Sequence, residues 1–167
     1  FFKKLSEILV FNWASKHKNR SYLILRPFSL YGEGLKSEYG FAIKDFIDCR
    51  LNNKNIFLQS NGKLIKRSYL HVEDYSSWIL KLIQEDYENI TLNIGSKNIY
   101  SLYELANIIA NIEIKGLSKV QVVNPENKIL SNYIPNLNKL TKLGFKEKQS
   151  FEHRLKEIIL NKYENTN

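Results

Sequence analysis

The sequence is poor in the features that would place a protein outside the cell or in a membrane. It has a single cysteine, Cys49, which excludes an internal disulfide framework and is typical of a reducing compartment. No apolar run approaches the roughly 18 to 20 residues that a membrane span needs, and the N-terminus lacks the basic, apolar, small-residue order of a signal peptide. We therefore expect a soluble, cytoplasmic protein with no membrane partner.

The composition lacks the bias of a disordered chain. Hydrophobic residues make up 43% and aromatic residues 13% of the 167 positions, which is enough for one ordinary globular domain. The formal net charge of +8 favours anionic partners in general. The lysines are scattered along the chain, so an ordinary solvated basic surface is the simpler interpretation, and nucleic-acid binding ranks last among the functions considered.

Metal-ligand spacing is absent as well. The three histidines, His17, His71 and His153, share no metal-ligand spacing with one another or with Cys49. We expect no metal site.

Hydrophobic periodicity and capping signals predict a mixed order of helices and strands. Helices are expected at residues 4–14, 40–51, 75–84, 102–112, 136–144 and from 150 onward. Strands are expected at residues 22–25, 56–58, 92–94 and 120–123.

Short-range signals refine several of these elements. Ser101 and Glu104 have the spacing of a capping box, and Asp74 is expected to cap the helix that follows it. Trp78 is expected in the core. The Asn61-Gly62 turn predicts a hairpin between two short extended runs.

The run at residues 22–25 is typical of a parallel strand that is buried on both faces. Such a strand needs neighbours on both sides, and the sequence ahead of it offers one helix and no strand. That first helix has no N-cap residue before it. We therefore expect that the chain begins inside a helix and that the missing neighbours belong to another segment.

Three motifs carry a family resemblance, and they read LRPFSLYG at residues 25–32, RSYLHVED at 67–74 and LNIGS at 92–96. In this order they resemble the NAD-dependent epimerase/dehydratase family of extended short-chain dehydrogenases. The resemblance continues through residues 101–110 and 143–145, so it covers nearly the whole chain. Residues 40–47 and Trp78 are most similar to a subgroup that includes sugar 4,6-dehydratases, epimerases and surface-polysaccharide enzymes.

The resemblance implies an α/β fold, of which this chain is the C-terminal, substrate-binding part of a Rossmann-type enzyme, with mostly helices and a few short strands. The dinucleotide-binding sheet is expected to be missing, because all seven glycines are isolated or in a turn. Residues 1–34 would be the last helix and strand of the Rossmann half, residues 35–163 the substrate-binding region, and residues 164–167 a disordered tail.

The resemblance also implies roles for residues near the start of the chain. Lys3 matches the lysine of the Tyr-x-x-x-Lys catalytic helix, with Lys4 as a competing register, and the tyrosine would fall outside the sequence. Pro27 and Phe28 would border the nicotinamide of NAD or NADP, and Ser29 would reach toward the sugar nucleotide. The simpler alternative is that Pro27 merely ends a strand.

Three basic residues are candidate contacts for the rest of the ligand. The resemblance places Arg67 on the nucleotide diphosphate, whereas a surface arginine paired with Glu73 or Asp74 is the alternative. Lys44 stands where related sequences often have a substrate-facing asparagine, and a solvated helix lysine is an equal alternative. Lys128 would be a second phosphate contact.

The function implied by the resemblance is that of a nucleotide-sugar epimerase or dehydratase, an isomerase or lyase of polysaccharide biosynthesis. This chain would bind the nucleotide sugar, and turnover would need a partner chain or segment with the Rossmann half. A homo-dimer is a further open alternative. The competing hypothesis is a non-enzymatic remnant that keeps, at most, weak nucleotide-sugar binding.

Overall fold

The computed structural model describes residues 2–17, 19–34 and 41–165. Its helices are α1 (Phe2–Lys16), α2 (Ala42–Leu51), α3 (Val72–Gln84), α4 (Leu102–Ala110), α5 (Asn138–Lys142) and α6 (Phe151–Glu164). Its strands are β1 (Leu23–Pro27), β2 (Leu30–Tyr31), β3 (Ile56–Leu58), β4 (Ile65–Ser68), β5 (Leu70–His71), β6 (Ile90–Ile94), β7 (Ile99–Ser101), β8 (Val120–Val122) and β9 (Ser131–Tyr133). The fold is therefore α/β, and residues 166–167 of the expected tail lie outside the described ranges.

The parallel strand expected near residues 22–25 is confirmed as β1. It pairs in parallel with β6, in a register that runs from Leu23 opposite Ile90 to Pro27 opposite Ile94. The expectation that its neighbours all lie in another segment is wrong on one side, because β6 comes from this chain. In the part of the chain that the structure describes, the other edge of β1 has no strand partner.

The other strands form three small sheets. β2 pairs with β5 and β3 pairs with β8, both in parallel. β4 is the centre of a three-stranded sheet, antiparallel to β7 and parallel to β9. β2, β5, β7 and β9 were not expected from the sequence, because these runs of two or three residues are too short to show a period. β4 was expected only as the second extended run of the hairpin at Asn61-Gly62.

The predicted hairpin at Asn61-Gly62 is wrong. The chain does turn there, with Gly62 at a φ of +68°, but β3 and β4 enter different sheets. Ile56 and Leu58 of β3 are buried in a cluster formed with α2, α4 and α6. Burial of these two side chains decides the partner of β3, and the turn residues alone do not.

Two hydrophobic clusters make the core. The larger one joins α2, α4, α6 and the β3–β8 pair, and Phe151 and Leu155 of α6 are fully buried in it. The second joins α3, α5 and the β1–β6 pair. Trp78 lies in this second cluster with 6% exposure, so its expected place in the core is confirmed.

The capping signals are confirmed at two helices. The Ser101 hydroxyl accepts a hydrogen bond from the Glu104 N–H at 3.1 Å, and the Glu104 carboxylate accepts one from the Ser101 N–H at 2.7 Å. These bonds lower the pKa of Glu104 below its usual range. Ser150 caps α6 by accepting from the His153 N–H at 3.3 Å.

The expected cap at Asp74 is wrong. α3 begins two residues earlier, and the His71 Nδ1 accepts a hydrogen bond from the Glu73 N–H at 3.3 Å. Burial and the nearby Arg154 lower the pKa of His71, which keeps the ring neutral and able to accept. Asp74 is buried in the first turn and accepts instead from the Lys148 N–H at 3.4 Å.

α1 exposes most of its apolar side chains. Only Ala14 is buried in this helix. The exposed large apolar residues are Phe2, Leu5, Ile8, Leu9, Val10, Phe11 and Trp13. A helix that is apolar around most of its circumference is normally covered by neighbouring elements. No helix in the described part of the chain is long and apolar enough to cross a membrane.

Replacing the capping serine of α4 should destabilise the fold. Ser101→Ala removes the acceptor of the Glu104 N–H, and we expect the free energy of unfolding to fall by about 1 kcal/mol. Urea denaturation at pH 7 measures this change as a lower midpoint with an unchanged slope. Ser15→Ala, at an exposed position near the end of α1, is the matched control, and an equal loss in both variants would contradict a specific capping role.

Candidate functional site

The candidate site lies where β1 and β6 end. Because the two strands are parallel and in register, they end at the same edge, and the loops that begin at Phe28 and Gly95 leave from it. The Phe28 N–H donates to the Ile94 carbonyl at 2.8 Å, which extends the ladder by one residue. Ligands of parallel α/β sheets bind beyond the carboxyl ends of the strands.

The segment that begins with β9 covers one side of the carboxyl ends of β1 and β6. The ring of Tyr133 stacks on that of Phe28, with centroids 4.5 Å apart and planes at 26°. Gly95 permits this closure, since a Cβ added there would lie 2.8 Å from the Pro135 Cγ and 3.4 Å from the Phe28 Cβ. A larger residue at position 95 would push the end of β9 away from Phe28.

Arg67 lies next to the stacked rings. It is a β4 residue and the direct partner of Tyr133 in the parallel ladder. Its Nη1 donates to the Lys66 and Ser131 carbonyls at 2.8 and 2.9 Å, and its Nη2 donates to the Ser131 Oγ at 3.0 Å. The guanidinium is therefore held in place at the surface while the side chain is half-buried.

The alternative pairing of Arg67 with Glu73 or Asp74 is not what the structure has. The Glu73 carboxylate accepts a hydrogen bond from Arg154 at 2.5 Å, and Asp74 accepts from a backbone N–H. Among the described residues, Arg67 has no carboxylate partner. Its positive charge remains available to an anion.

Ser29 is connected to the same region. Its carbonyl accepts a hydrogen bond from the Leu70 N–H at 3.0 Å, and the pairing of β2 with β5 begins at the next residue, Leu30. The chain thus runs from Arg67 to Leu70 beside the loop that carries Phe28 and Ser29. The structure therefore brings Phe28, Ser29 and Arg67 into one neighbourhood.

Lys3 is exposed on the first turn of α1. One turn later, the Glu7 carboxylate accepts two hydrogen bonds from Arg26, at 2.8 and 2.6 Å. These bonds lower the pKa of Glu7. Because Arg26 directly precedes Pro27, the ion pair holds the N-terminal end of α1 beside the carboxyl end of β1.

The other two basic candidates lie on other elements than Arg67. Lys44 is 14% exposed and forms an ion pair with Asp48 on its own helix, α2. Lys128 is exposed on the segment between β8 and β9, three residues before Ser131. Phe28, by contrast, is linked to Arg67 through Tyr133, and Ser29 follows Phe28 directly.

Sequence reasoning gave no role to several residues that shape this edge. Ser131 holds Arg67, Tyr133 stacks on Phe28, and Glu147 binds the loop after β6 by accepting from the Ser96 hydroxyl at 2.7 Å. Burial raises the pKa of Glu147. No local pattern reveals these contacts, because each one joins residues far apart in the sequence.

An apolar groove of about 390 Å³ begins beside β4. Phe57, Ile65, Ile129 and Cys49 are among the residues that line it, and Ile65 lies two positions before Arg67. Burial raises the pKa of the Cys49 thiol, so Cys49 acts here as a small apolar side chain. The groove offers a wall for an uncharged group next to the cation.

The two helices that directly follow a strand, α3 and α4, do not fit the pyrophosphate of a dinucleotide. Such a group needs a glycine-rich turn between a strand and an open helix N-terminus. α3 and α4 follow their strands directly, and His71 and Ser101 cap them. For metals, the described residues contain no group of three or more histidine, cysteine, aspartate or glutamate side chains that could hold an ion.

Comparison with solved structures confirms this architecture. UDP-glucose 4-epimerase from Thermotoga maritima, solved with UDP-glucose, is 21% identical, with a TM-score of 0.77 over 98% of this chain and 53% of its own. UDP-N-acetylglucosamine 4-epimerase from Bacillus cereus is 25% identical, with a TM-score of 0.72 over 90% of this chain and 51% of its own. The chain therefore spans about half the length of these enzymes.

Sequence comparison gives the family. No curated protein matches the chain. The profile of the NAD dependent epimerase/dehydratase family matches residues 2–95, which is more than half of the 167 residues. Two of the three motifs lie wholly within this match, and the third overlaps its end. The chain belongs to the NAD-dependent epimerase/dehydratase family.

Proposed function

We propose that this chain is the substrate-binding part of an NAD- or NADP-dependent enzyme that epimerises or dehydrates a nucleotide sugar. The observation that carries the proposal is Arg67, a held guanidinium without a carboxylate partner among the described residues, beside the Phe28–Tyr133 stack. A guanidinium suits a diphosphate because its fixed fork of N–H donors matches phosphate oxygens. Related epimerases have been solved with UDP-glucose and with UDP-glucuronic acid.

The remaining candidates fit around this anchor. The apolar groove beside Ile65 would accept an uncharged part of the ligand, while Ser29 would face the sugar. Lys128 and Lys44 would be secondary contacts. A role in surface-polysaccharide synthesis follows from the motif resemblance, and the choice among epimerisation, dehydration and decarboxylation stays open.

The dinucleotide would be held mainly by a Rossmann part that packs on α1 and extends the sheet from the free edge of β1. This is supported by the exposed apolar face of α1 and by the apolar run of β1, which is typical of a strand with neighbours on both sides. Pro27 and Phe28 would border the nicotinamide, and Lys3 would be the lysine of the catalytic helix. When bound, the dinucleotide supplies the hydride chemistry.

Charge disfavours a second copy of this chain as the partner of α1. The helix carries Lys3, Lys4 and Lys16, and its Glu7 carboxylate is already paired with Arg26. Two copies of α1 packed together would bring like charges close to each other. A homo-dimer through this face is therefore the less favoured alternative.

The proposal assigns residues 1–34 to the edge of the Rossmann part, residues 35–163 to the substrate-binding region and residues 164–167 to the end of the chain, where Glu164 is still the last residue of α6. The pairing of β1 with β6 joins the first two regions in one sheet. The substrate region would therefore keep its position relative to the cofactor through backbone hydrogen bonds.

The function is tested by calorimetric titration of the chain with UDP-, dTDP-, GDP- and CDP-sugars, repeated with Arg67→Ala. We expect binding that prefers one nucleotide and weakens by about tenfold or more in the variant, since a hydrogen bond to a charged group contributes roughly 1.5 to 3 kcal/mol. NAD⁺ titrated into the same sample should show no saturable binding, because the N-termini of α3 and α4, the two helices that directly follow a strand, are capped by His71 and Ser101.

Arg20→Ala is the matched control for this titration. It removes the same charge from an exposed arginine that lies over the Trp13 ring, so nucleotide-sugar binding should be unchanged. Absence of binding to every nucleotide sugar, in a sample with a cooperative melt, would overturn the proposal. That result would favour the non-enzymatic remnant.

The close packing at Gly95 yields a second prediction. Gly95→Ala places a Cβ against Pro135, which should move the end of β9 away from Phe28 and weaken nucleotide-sugar binding. Overpacking of this kind also costs about 1 to 3 kcal/mol of stability. Calorimetric affinity and the urea midpoint measure the two effects separately.

A compensating change checks the steric cause. Pro135→Ala removes the ring carbon that the new Cβ meets, so the double variant should recover affinity relative to Gly95→Ala alone. If the double variant binds as weakly as the single one, contact with Pro135 is not the reason for the loss.

A further inference from the structure

Ser131 is the residue that fixes the orientation of Arg67. Its carbonyl and its hydroxyl both accept hydrogen bonds from the guanidinium, one from each terminal nitrogen. The two residues are 64 positions apart and meet because β9 pairs with β4. One residue of β9 thus occupies the end of the guanidinium fork.

The bonds in the structure leave a defined set of donors on Arg67. The guanidinium has five N–H groups. Nη1 uses both of its protons, toward Lys66 and Ser131, and Nη2 uses one, toward Ser131. The N–H groups that remain belong to Nε and Nη2. We call these two groups the side edge of the guanidinium. Arg26 uses the same two nitrogens, Nε and Nη2, to bind the Glu7 carboxylate.

The Ser131 hydroxyl has a donor to spare. Its oxygen accepts from the Arg67 Nη2 at 3.0 Å, and a serine hydroxyl carries one proton as well as lone pairs. A hydroxyl that accepts from a cation becomes a better donor, because hydrogen bonds in a chain polarise one another. An anionic oxygen beside the side edge of Arg67 would be the natural acceptor.

We infer that Ser131 is a positioning residue for the diphosphate: it holds Arg67 with its side edge open and donates its own hydroxyl proton to the same phosphate group. This rests on the proposed function, because it names the partner of the anchoring arginine. Ser131 suits this place better than Lys128, which is exposed on the segment before β9. A point charge on a flexible stem orients a phosphate less well than a fixed pair of donors.

The inference is tested in the full chain with the nucleoside diphosphate that corresponds to the best-bound nucleotide sugar. Ser131→Ala should weaken binding by about tenfold, since it removes a hydrogen bond to a charged group and the hydroxyl acceptor that holds Nη2. Ser131→Thr keeps the hydroxyl and should bind within about threefold of the unchanged chain. Asn132→Ala, at the neighbouring exposed position of β9, is the matched control and should bind normally.

A double-mutant cycle separates positioning from a general structural role. Because part of the effect of Ser131 passes through Arg67 and part through its own hydroxyl, adding Ser131→Ala to Arg67→Ala should cost clearly less affinity than Ser131→Ala costs in the unchanged chain. Fully additive losses, or a Ser131→Thr variant as weak as Ser131→Ala, would overturn the inference. If the Ser131→Ala variant is unstable, Ser131→Cys replaces it. Cysteine keeps the volume of the side chain, but its thiol is only a weak hydrogen-bond donor, so the same loss of binding is expected.

The outcomes also distinguish this inference from the proposed function. Normal binding by Ser131→Ala together with weak binding by Arg67→Ala would overturn the role of Ser131 alone. Binding that is unaffected by Arg67→Ala, or absent in the unchanged chain, would overturn the proposed function and the inference with it.

Discussion

The parallel pairing of β1 with β6 is the constraint on which the candidate site depends. It joins strands separated by more than sixty residues, with Leu23 opposite Ile90 and Pro27 opposite Ile94. Parallel strands in register end together, so the loops after Pro27 and Ile94 open at one edge. The Phe28 N–H, bonded to the Ile94 carbonyl, holds the first of these loops against the second. Without this ladder, neither the aromatic stack nor Gly95 would have a fixed place.

β4 connects this edge to the cationic anchor. It lies between β7 and β9, and its residues Lys66 and Arg67 are paired on both sides. Arg67 faces Tyr100 on one side and Tyr133 on the other. The Tyr133 ring packs on Phe28, and the strand pairing thereby places a guanidinium beside the loop that follows β1. Backbone hydrogen bonds, rather than contacts between the functional side chains themselves, set the geometry of the site.

The arginines of this chain show how the environment assigns different roles to one side chain. Arg26 and Arg154 are neutralised by Glu7 and Glu73. Arg50 is buried and donates to the carbonyls of residues 112, 114 and 116, where it holds the segment after α4. Arg67 is also held by neutral oxygens, but it stays half-exposed with part of its fork unused. Because neutral acceptors do not cancel its charge, Arg67 is suited to bind an external anion.

Local sequence by itself determined the elements whose signals lie within a few residues. The Ser101–Glu104 box, the Ser150 cap, the β3 run and the apolar stripe with Trp78 were all predicted, because each depends on neighbouring positions along one helix or strand. The motifs also identified Phe28, Ser29 and Arg67 as candidates for one site.

Only the tertiary structure decided which elements meet. In the structure, β3 pairs with the distant β8 and does not form a hairpin, and His71, rather than Asp74, caps α3. The pairing of β9 with β4 brings Ser131 to Arg67. Runs as short as β2 and β5 carry no usable period, and even where a short run such as β3 was predicted, its partner is chosen by which side chains can be buried together. Burial and strand pairing depend on residues far away in the sequence, so no local pattern could predict them.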